Sequence, residues 1–478
     1  MSFLTEFPEL KTIIGLARER KCDVHLVGGF LRDHLLGRPC SDFDFAVEKG
    51  ATEMARILSR KIRGAFVLLD KERGCARVVK KKNSGIQTFD FADYRAGTFS
   101  EDLSHRDFTI NTLAVYLNDL TDTDSLPGIL IDEKKGKRDL RAATIKMTST
   151  RAFREDPLRL LRAFSLKAVL GFHIDKKTLD RIKKDRALLR GVSYERIREE
   201  FFKILSADQA AGNLKALDKI GLLEEVLPQV AVMHHVQQGA YHHLDVWRHS
   251  LETVAQLEKV FEEFRGQGEI SGYLDEEISG QHMRRELLLL AALLHDIGKP
   301  ETKKKEKGKM SFHGHERVGK NIVRSAAKLV KLSTKERHFL EDVVFWHLRP
   351  GYLSNFSEPS ARAVFRYFCD TGEEGASILL LSLADQRATR GPMTTRKDLR
   401  HHEKICLHLL KLFFEKKKEK PFIRLINGDD LIHKLKLKPS VLFSRILTEV
   451  EEKQVLGRIK NKAEALALAK RIAEENED

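Results

Sequence analysis

The sequence predicts an α+β fold: a small mixed sheet with helices on one side near the amino end, followed by a chain that is helical nearly throughout. Two observations predict it. Short strand-like runs, with helical stretches interleaved, crowd the first part of the chain. Beyond about residue 150, apolar residues recur at the three-and-four spacing of helix faces. A length of 478 residues suggests about three domains and is ample for several cores.

The elements follow in order. Residues 8–20 (PELKTIIGLARER) read as a helix leading into a first strand, Val24 to Val27. That strand runs into Gly28-Gly29 and an amphipathic helix, with Phe30, Leu31, Leu35 and Leu36 apolar and Arg32 and Asp33 polar. Gly37 closes it, and Asp42-Phe43-Asp44 opens the next strand. Ala51 to Arg60 reads as a helix, and Gly64 to Asp70 and Ala76 to Lys80 as strands, with Lys80 to Lys82 as a basic loop. Thr88 to Ala92 alternates like a strand around Asp90. The first of these segments can do chemistry. Two glycines let backbone N–H groups approach a phosphate, and a helix start adds positive potential. Arg32 can hold phosphate oxygens with two prongs. Asp42 and Asp44, two apart on a strand, share a face and can hold divalent metal. Asp90 is either a third metal carboxylate or a strand-end polar residue.

The stretch LVGGFLRDHLLGRPCSDFDF resembles motif A of class II tRNA nucleotidyltransferases and bacterial poly(A) polymerases, in the polymerase-β-like superfamily. The resemblance implies a nucleotidyltransferase head in which Gly28, Gly29 and Arg32 bind a triphosphate and Asp42 and Asp44 hold catalytic Mg²⁺. Residues 101–114 (EDLSHRDFTINTLA) resemble motif B, with His105 standing where the family has the first of two arginines. Arg106 and Asp107 then contact phosphates and ribose, with Asp107 accepting from the 2′-hydroxyl. Read without the family, Asp107 caps a helix starting near Phe108. Ile131-Asp132 with Gly136 looks like motif C, a hinge.

Residues 151–170 (RAFREDPLRLLRAFSLKAVL) read as a helix with Leu158, Leu161, Phe164 and Ala168 inward. Asp156 and Arg159 are neighbours at a spacing of three, and Glu155 can brace Arg159 at four. Glu-Asp-x-x-Arg resembles motif D, which implies that Asp156 and Arg159 act as an amino-acid template for CTP and ATP, with Arg162 beside them. The plainer reading makes Asp156 an N-cap with Pro157 in the first turn. Ser193 to Leu205 resembles motif E, a helix supporting the template, with Ser193 capping it.

From residue 241 onward histidines recur: His249 in YHHLDVWRHSLETV, His295-Asp296 in LLLLAALLHDIGKP, His313 and His315 in FHGHE, His347 in FWHLRP, then Asp385 in LADQRATRG. Inward His and Asp on packed helices can build a metal site. The pattern resembles the HD phosphohydrolases, which implies His249, His295, Asp296 and Asp385 as ligands, with His315 and His347 matching two-metal members. Charged stretches at Lys303 to Lys309 and Glu415 to Lys420 read as solvated linkers. The tail, residues 421–478, reads as two or three short helices and resembles the carboxy-terminal segment of HD-bearing bacterial tRNA nucleotidyltransferases, with Ser440 in place of the usual glycine. Lys434, Lys436, Lys438, Arg445, Arg458 and Lys460 suit it to an RNA backbone.

The formal net charge is +15, spread along the chain, which favours a polyanionic partner. Five scattered cysteines without a CxxC argue against a disulfide frame or zinc finger, and no signal-like or membrane-spanning segment stands out, so the expected location is the cytoplasm. The expected organisation is a nucleotidyltransferase head (1–145), a helical nucleotide-selecting neck (146–235), an HD domain (236–395) and a helical RNA-binding tail (396–478). The expected activity is CCA addition to tRNA from CTP and ATP, using Mg²⁺, with a metal-dependent phosphodiesterase or phosphatase on a transition metal such as Mn²⁺, Ni²⁺ or Co²⁺ in the HD domain. Addition of A alone, CC alone or poly(A) is the alternative within the family. An HD phosphohydrolase acting on RNA ends or nucleotides, with the head binding RNA, is the alternative from another class. No membrane partner is expected.

Overall fold

The computed structural model describes residues 3–82, 85–121, 123, 125–239, 243–279, 282–306, 309–418 and 422–475. It forms two compact units, residues 1–208 with 217–226, and residues 209–216 with 227–478.

The first unit is built on a seven-stranded sheet. Its strands are β1 (Val24–Val27), β2 (Asp42–Val47), β3 (Ala65–Asp70), β4 (Cys75–Lys82), β5 (Gly85–Asp93), β6 (Ala114–Tyr116) and β7 (Leu130–Ile131). Their order is β3-β4-β5-β2-β1-β6-β7. Among the described residues of this sheet, β2 and β5 pair in parallel and the other neighbours pair antiparallel. That register sets Phe43 against Phe89 and Phe45 against Phe91, with ring centroids 5.1 and 4.7 Å apart. These rings are buried with Phe30, so one face of β2 builds core while Asp42 and Asp44 turn to the other. Helices Glu9–Arg20 and Ala51–Lys61 cover the apolar side.

Three sequence expectations change here. Lys80, Lys81 and Lys82 are not a loop but the end of β4, paired with Gln87, Ile86 and Gly85. Lys80 and Lys82 are drawn to the buried Glu9, at 3.2 and 2.6 Å. No α-helix begins near Phe108: Thr109–Asn111 is one 3-10 turn before β6. Residues 151–170 are two helices, Ala152–Glu155 and Arg159–Leu170. Pro157 forces the residue before it out of helical geometry, and Asp156 is extended (φ −146°, ψ 100°). Ser193 does precede the next helix, Tyr194–Ser206, but makes no side-chain cap bond.

The second unit is helical. Val246–Glu263, Arg284–Leu294, His315–Leu329, Thr334–Trp346, Gly375–Ala388 and Arg396–Lys418 are its main helices. Residues 287–294 are buried all round, as expected of a central helix. Lys304–Glu306 and Lys309–Ser311 pair as a small antiparallel ribbon, so most of the expected linker is strand; Lys307 and Gly308 lie outside the described residues. Residues 415–418 continue a helix rather than a linker, and Glu419 and Lys420 lie outside the described residues. The tail helices Gly428–His433, Val441–Val455 and Lys462–Glu474 gather around Leu431, Ile446, Val450, Ala469 and Ile472. Among the described residues, no helix is long and apolar enough to cross a membrane.

Candidate functional site

Gly28, at the end of β1, has φ +84°, which side chains other than glycine rarely adopt. A Cβ there would also stand 2.9 Å from Asp44 Oδ2. The turn and the carboxylate are therefore fitted to each other. Gly29 starts the next helix, and Arg32, one turn on, is buried beneath it. Its guanidinium donates to both Asp33 oxygens (3.0 and 2.7 Å) and to Asn111 Oδ1 (2.7 Å). Three of its five N–H groups are thus spent holding it in place.

Asp42 lies at the exposed start of β2 and accepts from Thr88 Oγ1 at 2.5 Å. Asp44 faces the site, and Asp90 is its partner in the β2–β5 register. Burial, then Asp90, pushes the Asp44 carboxyl up to about 6; Arg106 and Arg162 pull it back and Asp42 adds to the rise. Gathered carboxylates that resist ionising together suit a divalent cation. Asp90 is gripped by Arg77 across the hairpin, with both bonds 2.7 Å, which fixes its plane and offsets part of its charge.

Asp107 is buried beside these groups. It accepts from the Phe108 N–H (2.7 Å) and from Asn111 Nδ2 (3.1 and 3.2 Å), and Arg162 Nε lies 2.9 Å away. Burial raises its pKa, but Arg162, Arg159 and these hydrogen bonds outweigh it and hold the carboxyl below its ordinary range. Arg106 pairs with Asp102 at 3.3 Å. His105 Nδ1 meets Glu155 at 3.1 Å, so the departure from the family pattern still links this segment to the Glu-Asp-Pro stretch.

Arg159 donates to the carbonyls of Ala152 (3.0 Å) and His105 (2.6 Å), with Glu155 3.6 Å away. Asp156 is held by Arg196 at 2.9 Å, so the Tyr194–Ser206 helix reaches Asp156 directly. Asp156 Oδ1 also accepts from Leu158 N at 3.3 Å, a local turn contact rather than a cap of the longer helix. A cavity of about 290 Å³ brings together Gly28, Gly29, Asp44, Arg106, Asp107, Asn111, Asp156, Arg159 and Arg162 in its lining. Asp42 and Arg32 are not part of that lining; they stand at its edge and beneath it. Asp156 and Arg159 also line an adjoining cavity of about 510 Å³ with His105 and Glu155.

Sequence reading missed Asn111, Arg77 and the reach of Arg196. Asn111 sits four after Asp107 in DFTIN, and a tight turn brings the two together. Arg77 faces Asp90 only through strand pairing, so no local spacing marks it.

The second unit brings together all six of its expected ligands. His249, His295 and Asp385 form one cluster, and Asp296, His315 and His347 another. His249 Nε2 is 2.8 Å from Asp385 Oδ1. Asp296 offers one oxygen to each side: Oδ2 lies 3.2 Å from His295 Nε2, and Oδ1 lies 3.4 Å from His315 Nε2. His295, His315 and His347 each bond through Nδ1 to the carbonyl three residues back, at 2.8, 2.8 and 2.6 Å. With Nδ1–H donating, Nε2 of each ring is the nitrogen left to face the cluster, where it can ligate metal once it carries no proton. Burial, then His315 and His295, holds His347 down to about 3 and hence neutral. Burial opposes protonation of His295, but Asp296 and Asp385 outweigh it and push the imidazole up to about 10, a positive charge where a metal would sit. The donor set fits divalent metal, which His249, His295 and Asp385 on one side and Asp296, His315 and His347 on the other would hold. Lys299 Nζ, buried, donates to Asp296 Oδ2 (2.6 Å) and Gln238 Oε1 (2.7 Å).

Comparison with known proteins finds both kinds of site. Residues 24–146 match the Poly A polymerase head domain, 171–233 the RNA and SrmB-binding site of polymerase A, and 246–385 the HD domain. An A-adding tRNA nucleotidyltransferase of Deinococcus radiodurans is 30% identical over 458 residues, covering 94% of this chain and 95% of that protein. A CC-adding tRNA nucleotidyltransferase of Thermus thermophilus is 29% identical, covering 93% of this chain and 92% of its own length. Among solved structures, a CCA-adding enzyme with ATP shares the fold at a TM-score of 0.63 and 21% identity, over 97% of this chain and 93% of that one. A near full-length relative at this identity, together with matches to both head and HD domain, settles the kinship: the chain belongs to the tRNA nucleotidyltransferase and poly(A) polymerase family, in its HD-bearing form.

Proposed function

We propose that this chain adds CMP and AMP, from CTP and ATP, to the 3′ end of tRNA, completing the CCA terminus without a nucleic-acid template. The observation that carries the reading is the cavity of about 290 Å³ whose lining joins a carboxylate pair's inner member, Asp44, to Asp107, Asp156 and Arg159. In this reading Asp42 and Asp44 hold Mg²⁺, which when bound offsets triphosphate charge and lowers the pKa of the attacking 3′-hydroxyl. The Gly28-Gly29 backbone, Arg32 and Arg106 hold the phosphates. Asp107, kept ionised by Arg162, accepts from the ribose 2′-hydroxyl, a donor that deoxynucleotides lack. Asp156 accepts from the exocyclic amine of cytosine or adenine, and Arg159 donates to the ring nitrogen beside it. Head, neck, HD domain and tail divide near residues 145, 235 and 395, and the tail's basic residues serve the RNA backbone. Five free cysteines suit a cytoplasmic setting.

A partial reaction is the second reading, because one near full-length relative is named for A addition and another for CC addition. One experiment separates them: tRNAs lacking one, two or three terminal nucleotides, each incubated with CTP, ATP or both. Full CCA addition extends all three to maturity. An A-adding enzyme extends only the first, a CC-adding enzyme stops one short, and a poly(A) polymerase runs past the end. No incorporation in any reaction overturns nucleotide addition altogether.

The HD site we infer to be a phosphoesterase on a transition metal such as Mn²⁺, Ni²⁺ or Co²⁺, since imidazoles with carboxylates favour such ions over Mg²⁺. Held by these imidazoles and carboxylates, such a metal would supply the Lewis acidity that makes water a hydrolytic nucleophile. A 2′,3′-cyclic phosphate at an RNA end is the substrate proposed.

A further inference from the structure

Outside the nucleotide cavity, the head carries a second charged concavity. The helix Gly136–Arg141 and its approach form a cleft of about 520 Å³ lined by Asp132, Lys135, Lys137, Arg138, Arg141 and Ala142. Four of these six residues are cations, and the acids near them are already committed. Asp132 accepts from the backbone N–H groups of Gly136 (2.5 Å) and Lys137 (3.1 Å). Asp139, buried, accepts from Thr109 Oγ1 at 2.8 Å and pairs with Arg138 at 3.0 Å. Among the described residues, no acid pairs with Lys135, Lys137 or Arg141. Lys135 moreover holds a left-handed backbone (φ 61°), a conformation that glycine or asparagine adopts at less cost.

The cleft is tied to the nucleotide site by short links. Gly136 packs so closely on the Thr109 carbonyl that a side chain there would collide. Thr109 opens the turn that ends at Asn111, and Asn111 bridges Arg32 and Asp107. One short helix and one turn thus join the cations to the residues that face nucleotide. A concave surface with a net excess of positive charge is the footprint of a polyanion, and a cleft separate from the nucleotide cavity suits a longer chain than one triphosphate.

We propose that this cleft binds the phosphodiester backbone of the RNA substrate, a contact distinct from the nucleotide cavity. It rests on the reading that the substrate is RNA. Each phosphate neutralised releases counterions, so every contact steepens the salt dependence of binding.

The test is fluorescence anisotropy of a labelled tRNA transcript lacking its three terminal nucleotides, titrated with full-length protein over a series of salt concentrations. The variant combines Lys135→Asn, Lys137→Gln and Arg141→Gln, which keep the left-handed position comfortable and the helix polar. Affinity is expected to fall at least tenfold near physiological salt, and the slope of log K against log salt to flatten by about 3. Binding of CTP and ATP without RNA stays at the wild-type level. Unchanged RNA affinity and slope would overturn the proposal. So would an equal loss of CTP binding, which would make the cleft part of the nucleotide site. If the triple variant melts early, single Lys137→Gln and Arg141→Gln proteins are measured instead, each expected to flatten the slope by about 1. Wild-type protein that adds no nucleotide refutes the functional reading alone, because the salt slope of RNA binding still decides the cleft.

Discussion

Asn111 shows how one uncharged side chain can set two charged ones. Its carbonyl oxygen takes a hydrogen bond from Arg32 and its amide donates to Asp107, so the cation proposed to hold phosphate and the carboxylate proposed to read ribose share one spacer. Asn111→Ala removes bonds to charged groups worth about 1.5–3 kcal/mol each. The expected outcome is a loss of about ten- to a hundredfold in kcat/KM for CTP, with weaker discrimination against dCTP, checked by single-nucleotide incorporation kinetics. Unchanged ribose discrimination would place Asn111 outside the site's working parts. Asp44 supports a second expectation at this scale. Its pKa, raised to about 6 chiefly by burial and next by Asp90, means that protons compete with metal below that pH. The Mg²⁺ concentration giving half-maximal addition should therefore rise as pH falls from about 7 to about 5, a window set by that raised value. In metal-free protein the same shift runs the other way for stability. The fold binds the proton more tightly than the unfolded chain does, so this group's contribution falls as pH rises from the usual carboxylate range through about 6. Asp44→Asn should flatten that part of a melting-temperature profile. Asp42, Asp44, Asp107, Asp156 and Arg159 were legible because each belongs to a short sequence pattern. Arg77 and the double role of Asn111 were not, because their partners arrive through strand pairing and a tight turn.

At the scale of elements, Pro157 does more than end a helix. By forcing Asp156 into an extended backbone, it turns that carboxylate towards the Tyr194–Ser206 helix, where Arg196 holds it. Sequence spacing alone placed Asp156 and Arg159 on one continuous helix face; the interruption was readable from Pro157, but its consequence needed the second helix. The Lys80–Lys82 run misled for a related reason. Lysines are poor strand formers in isolation, yet pairing with β5 and attraction to buried Glu9 override that preference. The template reading predicts that Asp156→Ala relaxes base choice and admits UTP or GTP. Arg196→Ala should do the same more weakly, since it frees Asp156 without deleting it. Because the Asp156–Arg196 pair is partly exposed, stability should change by no more than about 1 kcal/mol in either variant. Misincorporation and thermal melting measured on the same proteins check both statements. Unaltered base choice in Asp156→Ala, with a lowered melting temperature, would leave the residue a local structural contact.

For the whole molecule, the division into two compact units puts the two clusters of metal-type ligands in different bodies: oxygen ligands alone on the sheet of the first, imidazoles with carboxylates among the helices of the second. Their chemistries should therefore separate by mutation and by metal. The choice of variant matters in the second unit. Removing Asp296 outright would strand the buried Lys299 ammonium, and breaking a buried pair in this way costs about 3–5 kcal/mol, enough to unfold the unit for reasons unrelated to catalysis. Asp296→Asn keeps an oxygen acceptor for Lys299 and the volume of the side chain while removing the charge that holds metal. His347→Gln is a second choice, because His347 is neutral and its loss strands no charge. Each variant is expected to lose at least tenfold in hydrolysis of 2′,3′-cyclic phosphates with Mn²⁺, Ni²⁺ or Co²⁺ supplied, and to keep CTP and ATP addition with Mg²⁺ within about twofold of wild type. Asp44→Ala should show the reverse pattern. Chelation followed by Mg²⁺ alone should restore addition but not hydrolysis, as the ligand preferences of the two sites require. If the wild-type protein hydrolyses none of these phosphoesters with any of the three metals, the histidine cluster is a structural centre, and its metal should then show itself as a rise in the melting temperature of the second unit instead.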